Sequence, residues 1–205
     1  MKLRIASLTL LCLALAVIPA SADTLYSNGG LNGGVDAFTI NFGYIVSNTF
    51  TAGAGSTVTG FDFYTWGIEG DTPLTVDWSI TSAENGGTVY GSGAGAALNN
   101  VFISNNSYGY AINRDTVSGL NVGLSGGTYW LNLQNATTKE GQPLYWDEND
   151  GKSLASDSGI GTIGSESFDI LGSTGTTNTT PEPSSIMLFG SGVLGLAGVL
   201  RRKLF

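Results

Sequence analysis

Seven residues, Leu74-Thr75-Val76-Asp77-Trp78-Ser79-Ile80, alternate apolar and polar without a break, and this period of two constrains the fold more than any other feature of the chain. An extended strand sends successive side chains to opposite faces, so the run reads as a half-buried strand with Leu74, Val76, Trp78 and Ile80 turned inward. Leu120, Val122 and Leu124 alternate likewise, Ser125-Gly126-Gly127 offers a turn, and Tyr129, Leu131 and Leu133 resume the period. That arrangement predicts a hairpin. Further strands are expected at 47–51, 57–66, 88–92, 101–104, 144–146 and 168–171, and no helical period competes with them. Short strands separated by Gly, Asn and Ser turns predict an all-β fold, an antiparallel β-sandwich of jelly-roll type, with a barrel as the alternative.

Charge narrows the partners. Between residues 23 and 180 only Arg114, Lys139 and Lys152 are basic, against 15 acidic residues, a net charge of −12. Nucleic acid is therefore excluded as a partner, because its phosphates demand a basic face. An acidic polysaccharide needs a bridging cation, whereas a neutral glycan can be held by stacking and hydrogen bonds. The chain has no histidine, and its one cysteine, Cys12, lies in the N-terminal segment. Disulfides, thiol chemistry, histidine-based triads and ordinary zinc sites are excluded from the body on that composition.

Both ends read as export signals. Lys2 and Arg4, an apolar run over 5–18, Pro19 and then Ala20-Ser21-Ala22 follow the order of a secretory signal peptide over 1–22, with cleavage expected after Ala22. Its apolar core is shorter than the roughly 17 residues a stable membrane helix requires. At the other end, residues 172–180 lose nearly all apolar character and read as a Thr/Ser/Gly-rich tether after a β-sandwich domain over 23–171. Residues 181–205 then combine Pro181-Glu182-Pro183 with an apolar stretch from Ile186 to Leu200 and the basic cluster Arg201-Arg202-Lys203. At a rise of about 1.5 Å per residue, the segment from Ser184 to Leu200 reaches about 26 Å, enough for a single C-terminal transmembrane helix with its basic end in the cytoplasm.

The tail resembles that of the PEP-CTERM proteins of Gram-negative bacteria that make exopolysaccharide. The resemblance rests on Pro181-Glu182-Pro183-Ser184-Ser185, on the glycine-punctuated apolar run with Gly190-Ser191-Gly192 and Gly195-Leu196-Ala197-Gly198, and on Arg201-Arg202-Lys203. It implies that an exosortase, a membrane-embedded cysteine transpeptidase, recognises the tail and cuts near Pro181-Glu182-Pro183. The chain is then a substrate: exported across the inner membrane, anchored through 186–200 before processing, and passed on to the cell surface or the extracellular matrix. Stretches of the body, among them Val58-Thr59-Gly60-Phe61-Asp62-Phe63 and Tyr145-Trp146-Asp147-Glu148, resemble the small β-sandwich domains that precede such tails. That second resemblance implies a fold and a location and brings no catalytic residues with it; together with the tail, the expected role is structural or at the surface, associated with exopolysaccharide or biofilm.

Three groups of residues are candidates for chemistry in the body. Asp147, Asn149 and Asp150, followed by Gly151, place oxygen ligands close together beside a turn. That donor set suits calcium, although no glutamate stands twelve positions on to complete an EF-hand; the other reading is a solvated acidic turn, with no cofactor at all. Trp66, Trp130, Trp146 and Tyr145 are aromatic faces on which a sugar ring can stack. Trp130 is the one expected outside, because it is out of phase with Tyr129, Leu131 and Leu133, and a ligand-binding Trp130 makes the body a carbohydrate-binding module with polysaccharide as its partner. Glu69 with Asp71, and Asp147 with Glu148, are the only acid groupings that suggest a glycosidase pair, which needs two carboxyls flanking one bond. Nothing in the sequence supplies a cleft for them, and the body is read as non-enzymatic.

Overall fold

A computed structural model describes residues 23–175. The signal-peptide, Pro181-Glu182-Pro183 and 186–200 expectations lie outside the described residues. Among those residues no helix is long and apolar enough to cross a membrane.

The described chain forms fourteen strands: β1 (Asp23–Ser27), β2 (Ala37–Thr39), β3 (Ile45–Ala52), β4 (Ser56–Ile68), β5 (Pro73–Ala83), β6 (Gly86–Ala97), β7 (Asn99–Asn105), β8 (Tyr110–Leu124), β9 (Gly127–Thr138), β10 (Leu144–Asn149), β11 (Ala155–Asp157), β12 (Gly161–Ile163), β13 (Ser165–Glu166) and β14 (Phe168–Ser173). They assemble into two antiparallel sheets. The first runs β1-β14-β4-β10-β13, with β8 and β7 beyond β4 and β2 on β10; the second runs β12-β11-β3-β9-β5-β6. The inner faces meet in one core. Phe61 and Phe63 of β4, Trp146 of β10 and Phe168 and Ile170 of β14 pack from the first sheet against Phe50, Val76, Trp78, Ile80, Leu131 and Leu133 of the second. Aromatic edges lock the centre: Trp146 meets Phe63 and Phe168 edge-on at 5.9 and 5.6 Å, and Phe61 meets Trp78 at 6.1 Å.

Local chemistry explains two departures from even alternation. Gly93 of β6 lies opposite Trp78, and a Cβ there would fall 2.6 Å from the indole nitrogen, so the missing side chain makes room for the ring. Leu74, expected inward, is instead exposed while Pro73 is buried, because β5 shifts register against β9 on either side of Thr75 and the alternation is reset there.

The hairpin expected across residues 125–127 does not form. β8 pairs with β4 and β7 in the first sheet, and β9 pairs with β3 and β5 in the second. Ser125 and Gly126 carry the chain between sheets, with Gly126 at φ +94° and Gly55 N–H donating to Leu124 O at 3.0 Å. Val122 and Leu124 point into the core from one layer, and Tyr129, Leu131 and Leu133 point into it from the other. A hairpin and a sheet-to-sheet arch place the same alternating residues inward, so periodicity cannot separate them. At the far end, β14 runs through Ser173 and pairs Gly172 with Val58, so the first two residues of the expected tether belong to the sheet.

Candidate functional site

Alternation along β4 and β10 decides which side chains reach the outer surface of the first sheet. Phe61, Phe63 and Thr65 face the core, leaving Trp66 outward, directly across from Tyr145 of β10 and Ile112 of β8. The tip between β7 and β8 adds another aromatic. Asn106 Oδ1 accepts from the N–H groups of Tyr108 and Tyr110 at 3.0 and 2.9 Å, and Gly109 takes φ +84°, a turn built on the asparagine side chain. Tyr108 is thereby folded over Trp66, with ring centres 5.8 Å apart and planes 24° from parallel, while its hydroxyl donates to Gly34 O at 3.3 Å. Tyr110 stands 5.7 Å from Trp66 and 5.7 Å from Tyr145.

These rings and Val35, Asp36 and Ala37 line an open cleft of about 430 Å³. Its rear wall is Trp66, only 6% exposed, and its rim is Tyr108, 61% exposed. The position of Trp66 is set by Asp147, whose Oδ1 accepts from the indole N–H at 2.6 Å. The same carboxylate accepts from Asn32 N–H at 2.9 Å and Gly33 N–H at 2.8 Å, pinning the loop between β1 and β2 beside the cleft. Burial pushes the Asp147 carboxyl above its ordinary value, against the opposing pull of these three donors.

Asp147, Asn149 and Asp150 are thus occupied differently from the expected calcium turn. Asn149 Nδ2 donates to Asn28 O and Gly30 O, its Oδ1 accepts from Gly151 N–H, and Asp150 is exposed on the turn. Among the described residues no three acidic side chains gather closely enough to hold an ion by themselves.

The four aromatic candidates separate. Trp66 and Tyr145 meet in the cleft; Trp146 is fully buried, with Nε1 donating to Ser167 O at 2.9 Å. Trp130 is half-buried on the outer face of the second sheet, between Thr49 of β3 and Thr81 of β5. It does not join the others. Tyr108 was missed as a cleft residue because the turn Asn106-Ser107-Tyr108-Gly109 carries no sign of which distant ring it covers.

The acid pairs are engaged in different ways. Asp147 and Glu148 are neighbours on one strand and project from opposite faces, so they cannot flank a common bond. Asp71 Oδ1 accepts from the N–H groups of Thr72 and Glu140 at 2.8 and 2.9 Å, and Glu69 accepts from Asn105 Nδ2 at 3.2 Å. Both serve loop structure at the surface.

Comparison with known proteins identifies one feature. Residues 179–203 match the PEP-CTERM protein-sorting motif, the stretch that contains Pro181-Glu182-Pro183, the apolar run and the basic cluster. No curated protein matches the chain.

Proposed function

Starting from a chain that carries a PEP-CTERM protein-sorting motif behind a β-sandwich body, we propose that it is an envelope or matrix protein whose body has a non-catalytic surface role associated with exopolysaccharide. The motif at 179–203 is the observation that carries the reading, since it implies an exported protein processed by an exosortase. The opposite faces taken by Asp147 and Glu148 support a non-catalytic body, since acid-base work on one bond needs both groups at that bond. Mass spectrometry of the native protein tests the reading. Wild-type cells are expected to yield a body beginning at Asp23 and ending near Pro181-Glu182-Pro183, and a strain without the sorting enzyme should retain the tail. An intact 205-residue chain in the cytosol of wild-type cells refutes it.

A second reading, a carbohydrate-binding module on the same scaffold, is favoured by the cleft. Exposed Tyr108 backed by Trp66, with Tyr110 and Tyr145 alongside, offers apolar faces of the size of a sugar ring. Asp36 on the rim can accept from ring hydroxyls. A neutral glycan is the ligand that this combination of rings and negative charge suits.

A further inference from the structure

Glu166 is a costly side chain to bury. It is fully buried, and neither carboxylate oxygen has a hydrogen-bond partner. Every influence on its titration, first burial and then the charges of Glu148, Asp147, Asp36 and Asp157, pushes it well above its ordinary value. No cation answers it. The ion pairs among the described residues are Arg114 with Asp62 and Lys139 with Glu140, and Lys152, the third basic residue of the body, is exposed. A buried carboxylate costs several kcal/mol unless it is paired, bound to a metal or protonated, so its surroundings decide its state.

Those surroundings form a built pocket. Glu166 of β13 lies directly across from Glu148 of β10, so both side chains leave the same face of the sheet. It is the inner face, since Trp146 of the core lies two residues before Glu148 on β10. The Glu148 carboxylate rests on Gly164, where any Cβ would occupy its position. Beyond them stands β3 of the opposite sheet. Glu166 N–H donates to Asn48 Oδ1 at 3.0 Å, while Asn48 Nδ2 is buried without a partner. Asp157 enters from β11, paired with inward-facing Val46. At this end of the sandwich the two sheets therefore face one another across carboxylates and an amide.

We propose that Glu166 and Glu148 bind a hard divalent cation of the calcium class between the sheets. Two carboxylates offer up to four oxygens and two negative charges, and the partly exposed Glu148 side admits the water that completes a coordination number of six to eight. The ion neutralises Glu166 and ties β10 to β13 beside Asn48 of β3. This site uses the inner face of β10, not the Asp147 and Asn149 face.

The test is thermal unfolding and calcorimetric calcium titration of the full chain after chelation. Calcium is expected to raise the melting temperature, Glu166→Gln to lower calcium affinity by about tenfold or more, and Gly164→Ala to weaken it by displacing Glu148. Asp150→Asn, on the exposed turn, should leave the response intact. No response to millimolar calcium overturns the proposal, as does an equal response in Glu166→Gln. So does a calcium-insensitive wild type that Glu166→Gln stabilises, the result expected of a protonated Glu166. If Glu166→Gln fails to fold, terbium decides with the unaltered chain and Gly164→Ala: tryptophan-sensitised emission that calcium displaces and Gly164→Ala weakens supports the site, and its absence, or emission equal in Gly164→Ala, overturns it.

Discussion

Asp115 lies on the inner face of β8, fully buried, where Asp115 Oδ2 accepts from Thr65 Oγ1 at 2.6 Å and Oδ1 from Asn100 Nδ2 at 2.8 Å. Burial outweighs these donors and pushes the carboxyl up to about 6. The native state therefore holds this proton more tightly than the unfolded chain, whose carboxyl keeps its ordinary value near 3.8. The group's contribution to stability is full below about pH 4 and is lost as the pH rises through about 6, a span of two pH units worth about 3 kcal/mol. Asp115→Asn removes the titration while keeping an acceptor for Asn100. Its new N–H₂ faces Thr65, whose hydroxyl must turn from donor to acceptor, which takes back about 1 kcal/mol. The variant is expected to be more stable than wild type by roughly 2 kcal/mol at pH 7.5, with the advantage vanishing, or reversing slightly, near pH 4. Urea unfolding of both full-length chains from pH 4 to 7.5, followed by tryptophan fluorescence, measures it. A gap that does not change with pH, or an asparagine variant less stable at pH 7.5, refutes the reasoning.

Arg114 pairs with Oδ2 of the buried Asp62 from a half-exposed position, and Asp62 Oδ1 has no hydrogen-bond partner. Arg114→Ala should destabilise the fold by about 2 kcal/mol in neutral urea titrations, less than for a fully buried pair because solvent reaches the guanidinium side; an unchanged midpoint contradicts the assignment. Glycan binding separates the two outer faces. On an array, Tyr108→Ala should weaken binding roughly fivefold, the equivalent of about 1 kcal/mol of stacking, with Trp130→Ala unchanged. The reverse result moves the site to the second sheet, and an empty array ends the carbohydrate reading.

The period of two in Leu74–Ile80 revealed the strand and three of its four inward residues, because there the apolar side chains themselves face the core. It was silent where the inner face is polar. Asn113 and Asp115 are core-facing residues of β8, yet their types read as surface, so the first half of that strand was not legible. β11 and β13 were missed for the same reason: Ala155–Asp157 and Ser165–Glu166 are buried but almost without apolar residues. The candidate sites failed along a second line. Asp147, Glu148, Asn149 and Asp150 look like one cluster in the sequence, and the strand divides them between two faces, sending Asp147 to Trp66 and Glu148 to Glu166. Which loop or strand lies across from a residue is a property of sheet order, and local pattern carries none of it.

The buried carboxyls share a cause. A body with 15 acidic and three basic residues cannot pair its inward acids with side-chain cations, and two of its three cations are already paired with Asp62 and Glu140. Asp115 answers with neutral hydrogen-bond donors, Asp147 with main-chain and indole N–H groups, and Glu166 has neither. The first two are satisfied from within the fold at the cost of a raised proton affinity, whereas Glu166 must draw on the medium for a proton or an ion. The aromatic centre built on Trp146, Phe63 and Phe168 packs the sheets by apolar contact that takes up neither proton nor ion, while on the proposed site the end built on Glu148, Glu166 and Asn48 depends on what the solution supplies. Stability of this sandwich is therefore set in part by its surroundings, and the calcium and pH titrations address different carboxyls: chelation acts at Glu166 and leaves the Asp115→Asn gap intact.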